Sequence, residues 1–135
     1  MMLIHKKQTA RRGQAVVELA LILPILMLIL MGIVEFGRIF MAHQTIANAA
    51  REGARTAVLP TSTMSDVSAT ISAYMTAAGL TGSTNTTATN VGASGTSGDP
   101  TTVTVSYDLP ILTGTIIPVF GPSISLARTT VMRHE

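Results

Sequence analysis

Residues 11–36 read RRGQAVVELALILPILMLILMGIVEF, and the apolar run inside them decides the fold. From Ala15 to Val34 the run is 20 residues long, which at about 1.5 Å per residue makes roughly 30 Å of helix, the thickness of a bilayer hydrocarbon core. Pro24 is its single proline and Glu18 its single charge. Lys6, Lys7, Arg11 and Arg12 precede it with no acidic residue among them. That bias predicts a cytoplasmic N-terminus and places residues 36–135 outside. An ordinary secretory signal has a shorter apolar region, about 7–15 residues, closely followed by a small-x-small cleavage site. Here the only candidate, Ala47-Asn48-Ala49, lies well past the run, so the segment reads as a retained span.

An ionised Glu18 inside a membrane helix costs on the order of 2.5–3.5 kcal/mol at the centre and less toward the interface. One reading lets it snorkel to the headgroups. The other begins with spacing: a cut after Gly13 would make Glu18 the fifth residue of the new chain, about one helical turn from a new ammonium on Gln14. Residues 11–18 resemble a type IV prepilin leader, which prepilin peptidase cuts on the cytoplasmic side after a glycine, leaving the apolar helix attached. The resemblance implies that Gly13 and Gln14 form the scissile junction and that Glu18 registers the subunit against an N-terminal ammonium. Such a charge pair supplies selection and register more than net stability.

Composition limits the alternatives. The leader holds four of the nine Lys and Arg and none of the seven Asp and Glu, so removing it changes the balance from +2 to 5 − 7 = −2. With five aromatic residues and no clustered basic face, direct nucleic-acid binding is not expected. There is no cysteine, and His5, His43 and His134 are scattered, so neither a disulfide framework nor a metal site or other cofactor is expected. The catalytic patterns GxSxG, GxxxxGK and HExxH are all missing, and the chain is read as a non-enzyme.

Beyond the span the helical pattern continues. Glu35-Phe36-Gly37-Arg38 marks the outer membrane boundary, with Glu35 and Arg38 spaced to meet on one helix face. Phe36, Phe40, Ala47, Ala50, Ala54 and Ala57 form an apolar stripe, while Asn48, Arg51, Glu52 and Arg55 offer a polar contact surface. Ala49, Gly53 and Ala57 recur every fourth position and let another backbone approach closely, whether from this chain or from another subunit. Pro60 is expected to end the helix near Leu59, because the residue before a proline avoids the α region.

The segment from Arg11 to Val58 resembles TadE-like proteins, the pseudopilins of the tight adherence (Tad, or Flp, type IVc) pilus system. The motifs carrying the resemblance are Gly13 with Glu18, Pro24, Glu35-Phe36-Gly37-Arg38, and Asn48-Ala49-Ala50-Arg51-Glu52-Gly53-Ala54-Arg55. Leu19 departs from the aromatic residue that follows the glutamate in the small major pilins, which points to a minor subunit. The implied partners are prepilin peptidase, other pilins and minor pseudopilins, an inner-membrane assembly platform and membrane lipid.

The remaining sequence is less specific. Ser65 to Leu80 is expected as a short helix capped at Ser65 or Asp66, with Val67, Ile71, Tyr74, Met75 and Ala78 on its apolar face and Gly79 as its stop. Asp66-Val67-Ser68-Ala69-Thr70 only faintly matches a DxSxS metal motif. In residues 81–102, 17 of 22 are Gly, Ser, Thr or Asn, and a flexible loop is expected; it includes an Asn85-Thr86-Thr87 glycosylation sequon. Thr102–Tyr107 alternates as a strand, Ser123–Arg133 is a second strand candidate, and residues 109–122 are read as an apolar connection or partner-binding loop.

The expected architecture is α+β and pilin-like: a leader at 1–13, a transmembrane helix at 14–35, and at 36–135 a small extracytoplasmic domain with a short second helix and a small antiparallel β-element. The implied function is a minor pilin or pseudopilin of a bacterial cytoplasmic membrane, used in building an adhesive Tad/Flp pilus. The competing reading is an unprocessed bitopic membrane protein whose external domain scaffolds an envelope complex or binds a ligand.

Overall fold

The computed structural model of the chain describes residues 6–116 and 121–134. They form an α+β fold with a first helix, α1, at Lys6–Ala57. The chain divides into two compact units, one through Phe36 and one from Gly37.

The first unit is helical from Lys6 onward. Side chains from Gly13 to Leu30 are all exposed, the pattern of a helix whose apolar surface has no protein partner within the chain. The helix carrying them is long and apolar enough to cross a membrane. Pro24 lies inside it; the lost backbone donor is tolerated in such helices because neighbouring groups and local adjustment re-satisfy the freed carbonyl. Glu35, near the end of this unit, is buried.

In the second unit, α1 continues to Ala57, two residues short of the expected Leu59, and a turn leads into α2 at Met64–Ala77. The expected cap shifts upstream. Thr63 is the N-cap and Asp66 is its partner three residues on: Thr63 N–H and Oγ1 donate to Asp66 Oδ2 at 2.8 and 2.7 Å, while Asp66 N–H reaches Thr63 Oγ1 at 3.4 Å. This reciprocal box satisfies two donors that a helix start leaves orphaned. At the other end Gly79 adopts φ +79, as expected for the stop. Its N–H donates to the Thr76 carbonyl and that of Leu80 to the Met75 carbonyl, both at 2.9 Å, the double closure that a left-handed glycine permits.

Three strands follow: β1 at Thr84–Thr89, β2 at Pro100–Pro110 and β3 at Ser123–Arg133, in the antiparallel order β1-β2-β3. A 3-10 turn, Gly92–Ser94, lies between β1 and β2, and a five-residue helix, α3 at Leu112–Ile116, between β2 and β3. The second strand candidate holds with its expected bounds. Residues 81–102 are corrected: they contain β1, which pairs with β2 from Thr84↔Tyr107 to Thr89↔Thr102. The low-complexity composition concealed the strand, because β-branched threonine suits a pleated surface and Thr84, Thr86 and Ala88 alternate as half-buried positions. Of the expected connection at 109–122, residues 109 and 110 belong to β2, 112–116 to α3, and 117–120 lie outside the described residues.

The core of the second unit lies between the helices and one face of the sheet. Ile46, Ala49, Ala50, Ala54 and Ala57 of α1 meet Val67, Ile71 and Met75 of α2 and Val103, Val105, Tyr107 and Leu109 of β2. Burying each larger aliphatic side chain contributes about 1.5–3 kcal/mol. The alanines contribute little area individually, but they let the layers close. Gly53 is where α1 and α2 come closest to excluding a side chain: a Cβ there would stand 2.5 Å from Ile71 Cδ1.

The other sheet face is uncovered. Register places three cross-strand rungs on it: Thr89, Thr102 and Val131; Thr87, Thr104 and Thr129; and Asn85, Ser106 and Ala127. Thr104 and Thr129 hydroxyls in the central rung hydrogen-bond at 2.8 Å.

Candidate functional site

Gly13 and Gln14 lie on an exposed stretch of α1, and nothing comes within 4 Å of the place a Gly13 Cβ would occupy. Glu18 is exposed on the same helix, one turn beyond Gln14. The expected junction and Glu18 thus stand on exposed helix.

At the boundary motif, Glu35 is buried. Arg38 donates from Nη2 to the Pro110 carbonyl at 3.3 Å, which ties the start of the second unit's helix to the end of β2. Farther along, Arg51 Nη1 donates to Asn48 Oδ1 at 2.7 Å, and Arg55 pairs with Glu52 at 3.4 Å. Asn48, Arg51 and Arg55 are exposed and Glu52 half-buried, so all four share a solvated ridge. Exposed ion pairs of this kind contribute about 0–1 kcal/mol to stability, and the ridge remains available for contacts.

The apolar stripe is corrected in phase. Ala50, Ala54 and Ala57 are buried as expected, but Phe36 and Phe40 are exposed, and Ala47 is half-buried. The core-facing line runs through Ala42, Ile46, Ala49, Gly53 and Ala57, roughly a third of a turn from the phenylalanines at 100° per residue. Ala49, Gly53 and Ala57 therefore receive α2 and β2 of this chain. Phe40 and Met41 instead border a groove of about 560 Å³ with Asn48, Tyr74 and Ala77.

His134 is a residue for which the sequence offered no signal. Its ring is buried, with Nε2 2.7 Å from Thr101 Oγ1 and 2.8 Å from the Asn90 carbonyl oxygen. Thr101 Oγ1 also donates to that carbonyl at 3.0 Å, so an Nε2–H tautomer satisfies both oxygens. A Cβ at Gly95 would collide with the ring. The backbone exchanges two bonds beside it, His134 N–H to Asp99 O and Gly98 N–H to His134 O. Asp99 is held below the ordinary carboxylate range, chiefly by the Thr96 hydroxyl and N–H, with a smaller contribution from His134. A groove of about 710 Å³ opens next to His134, lined also by Arg55, Leu59 and Met132.

Among the described residues no group of His, Asp and Glu could hold a metal ion. Asp66, singled out by the faint metal motif, is engaged by Thr63 through its hydroxyl first and its N–H second, which lowers its pKa. The geometry is therefore that of a long helix apolar enough to cross a membrane and a small, tightly closed α+β unit, with exposed helix surfaces in both units. A family model described as TadE-like protein matches residues 13–55. The matched stretch, about a third of the chain, begins at the residue before the expected cut and ends with the polar ridge. No curated protein and no solved structure gives a significant match.

Proposed function

We propose that this chain is a minor pilin or pseudopilin of a Tad/Flp pilus, made as a membrane precursor, cleaved after Gly13 by prepilin peptidase and used in assembling or initiating an adhesive fibre. The observation that carries the reading is the family match beginning at Gly13 on a helix whose apolar surface is exposed from Gly13 to Leu30. A helix of that kind needs lipid or other helices as its surroundings.

Residue roles follow from chemistry. Gly13 and Gln14 supply an unhindered peptide bond. Cleavage creates an ammonium at Gln14, and Glu18 offers the compensating carboxylate, its own or a neighbouring subunit's. Glu35 and Arg38 mark the outer end of the span, and Asn48, Arg51, Glu52 and Arg55 meet other pilins or the inner-membrane assembly platform. No step in this role needs a cofactor or a catalytic group.

The test is the intact mass of the membrane-extracted protein, made with and without active prepilin peptidase. A chain starting at Gln14 only when the peptidase is active is the expected result. A chain retaining residues 1–13 in both cases would overturn the processing claim and favour an unprocessed membrane scaffold.

A further inference from the structure

The connection between β2 and β3 has no part in cleavage or registration, yet it is the least polar loop of the second unit. Residues 109–122 read LPILTGTIIPVFGP, with no charged side chain. The hairpin loop between β1 and β2, residues 90–99, reads NVGASGTSGD by contrast. The neck of the apolar loop is closed: Ile111 N–H donates to the Pro122 carbonyl at 3.0 Å, and a Cβ on Gly114 would collide with the Gly121 carbonyl oxygen. Leu112, which opens α3, is 44% exposed.

Three contacts fix the end of the unit that this loop occupies. Arg38 Nη2 donates to the Pro110 carbonyl at 3.3 Å. Farther along α1, His43 Nδ1 lies 3.4 Å from Nη2 of Arg128, which pairs with Val105. Farther still, Arg55 and Leu59 share a groove with Met132, which pairs with Thr101. Strand β2 therefore runs back along α1 toward the end where the chain enters the unit at Gly37, and the loop lies beyond that end.

That end is tied to the span. Arg38 follows Val34, the last residue of the apolar run, by four positions, about 6 Å of helix rise. The headgroup layer is about 5–8 Å deep on each side, since the hydrocarbon occupies about 30 Å of a total of 40–45 Å. Arg38 thus stands at headgroup depth, a tilted span only lowers it, and the neck of the loop is held within one arginine side chain of it.

We propose that the β2–β3 connection is a second membrane contact, in which Leu112 and the uncharged loop that carries it rest on the outer lipid surface beside the span. The contact rests on the membrane anchoring proposed above. An exposed apolar side chain held at that depth leaves water for the boundary between headgroups and acyl chains. The loop brings no ion that lipid would penalise, and Pro118 and Pro122 have no N–H to leave unpaired. The tether selects lipid as the occupant: every anchored copy has a bilayer surface beside this loop without any encounter, and a protein partner would have to displace it. Attachment at two points restricts rotation of the second unit about the span, and a subunit that leaves the bilayer for a fibre must give up the second point.

The chain has no tryptophan, so a single introduced ring reports its own surroundings. Full-length Leu112→Trp is reconstituted in vesicles of phosphatidylcholine and phosphatidylglycerol brominated near the headgroup end of their acyl chains. It should lose about half or more of the emission it shows in unbrominated vesicles, because bromine quenches on contact and the ring sits at the acyl boundary. Leu112 lies outside the core, so the ring needs no repacking. Val131→Trp, exposed on β3 toward the opposite end, should be unaffected. Ile33→Trp, near the outer end of the span, tests the anchor separately. Quenching there with none at Leu112→Trp would overturn the loop contact and leave the anchor standing; quenching at neither would remove both. Blue-shifted but unquenched emission from Leu112→Trp would show a second copy on the loop, and water-like emission would show it bare; either overturns the proposal. So would equal quenching of Val131→Trp, the mark of a unit lying flat on the bilayer.

Discussion

Gly53 and Ile71 set the distance between α1 and α2. Alanine in place of glycine favours a helix interior by about 1 kcal/mol, but the added methyl would lie 2.5 Å from Ile71 Cδ1 and 2.7 Å from Cγ1. Ile71 is fully buried, so its end has nowhere to go, and overpacking of this kind costs about 1–3 kcal/mol. Gly53→Ala should therefore lower the melting temperature of the detergent-extracted chain by several degrees. Ile71→Val removes Cδ1, so the double variant should melt higher than the two single losses predict when added. Strict additivity in a thermal scan would show that the two side chains do not compete for the same space. His134 is a second residue whose place depends on a missing Cβ, that of Gly95. Nothing in the local sequence marks it, since its partners Asn90 and Thr101 are brought together by the pairing of β1 with β2 and meet the ring only when β3 pairs with β2.

At the scale of elements, α2 depends on Thr63 and Asp66. Replacing an N-cap threonine with alanine costs about 1 kcal/mol, and Thr63→Ala also removes a hydroxyl that holds the Asp66 carboxyl below its ordinary value. Because the folded pKa is the lower one, this contribution is complete above the unfolded carboxylate value, about pH 4, and is lost as pH falls through the folded value. Asp99 acts in the same direction through Thr96. Melting of the wild-type chain should therefore drop as pH is lowered below about 4, and Thr63→Ala should flatten that drop; equal slopes would argue against the box. The sequence made α2 legible through Val67, Ile71, Met75 and Gly79, although the cap was placed two or three residues too far along because Thr63 precedes the apolar pattern by four. β3 was legible to its ends, whereas β1 was hidden, since threonine and asparagine serve a loop as well as an edge strand and only pairing with β2 decides. The stripe on α1 was misphased because the phenylalanines outweigh alanine in any hydropathy pattern, yet close helix packing selects the small residues.

At the scale of the whole molecule, the decisive asymmetry is of charge. Four cations and no acid precede the span, while the residues from Phe36 to Glu135 carry five cations and five acids. Short cationic flanks are retained in the cytoplasm far more readily than a neutral domain is held back, so the α+β unit should be delivered outside and the leader left within reach of a cytoplasm-facing peptidase. The absence of cysteine allows a clean measurement. In cells with a permeable outer layer, Ser72→Cys should react with a membrane-impermeant maleimide, and Thr9→Cys in the uncleaved precursor should react only after the membrane is opened. Replacing Lys6, Lys7, Arg11 and Arg12 with glutamine should lower the externally labelled fraction of Ser72→Cys, because the bias that orients the helix is then gone. Labelling of Thr9→Cys from outside would invert the topology, remove Gly13 from the peptidase and leave the family resemblance without its processing step. The opposite result would join the residue, element and molecular scales: under the proposed processing the chain end that orients the span would also be the end removed, and its loss would change the formal charge from +2 to 5 − 7 = −2.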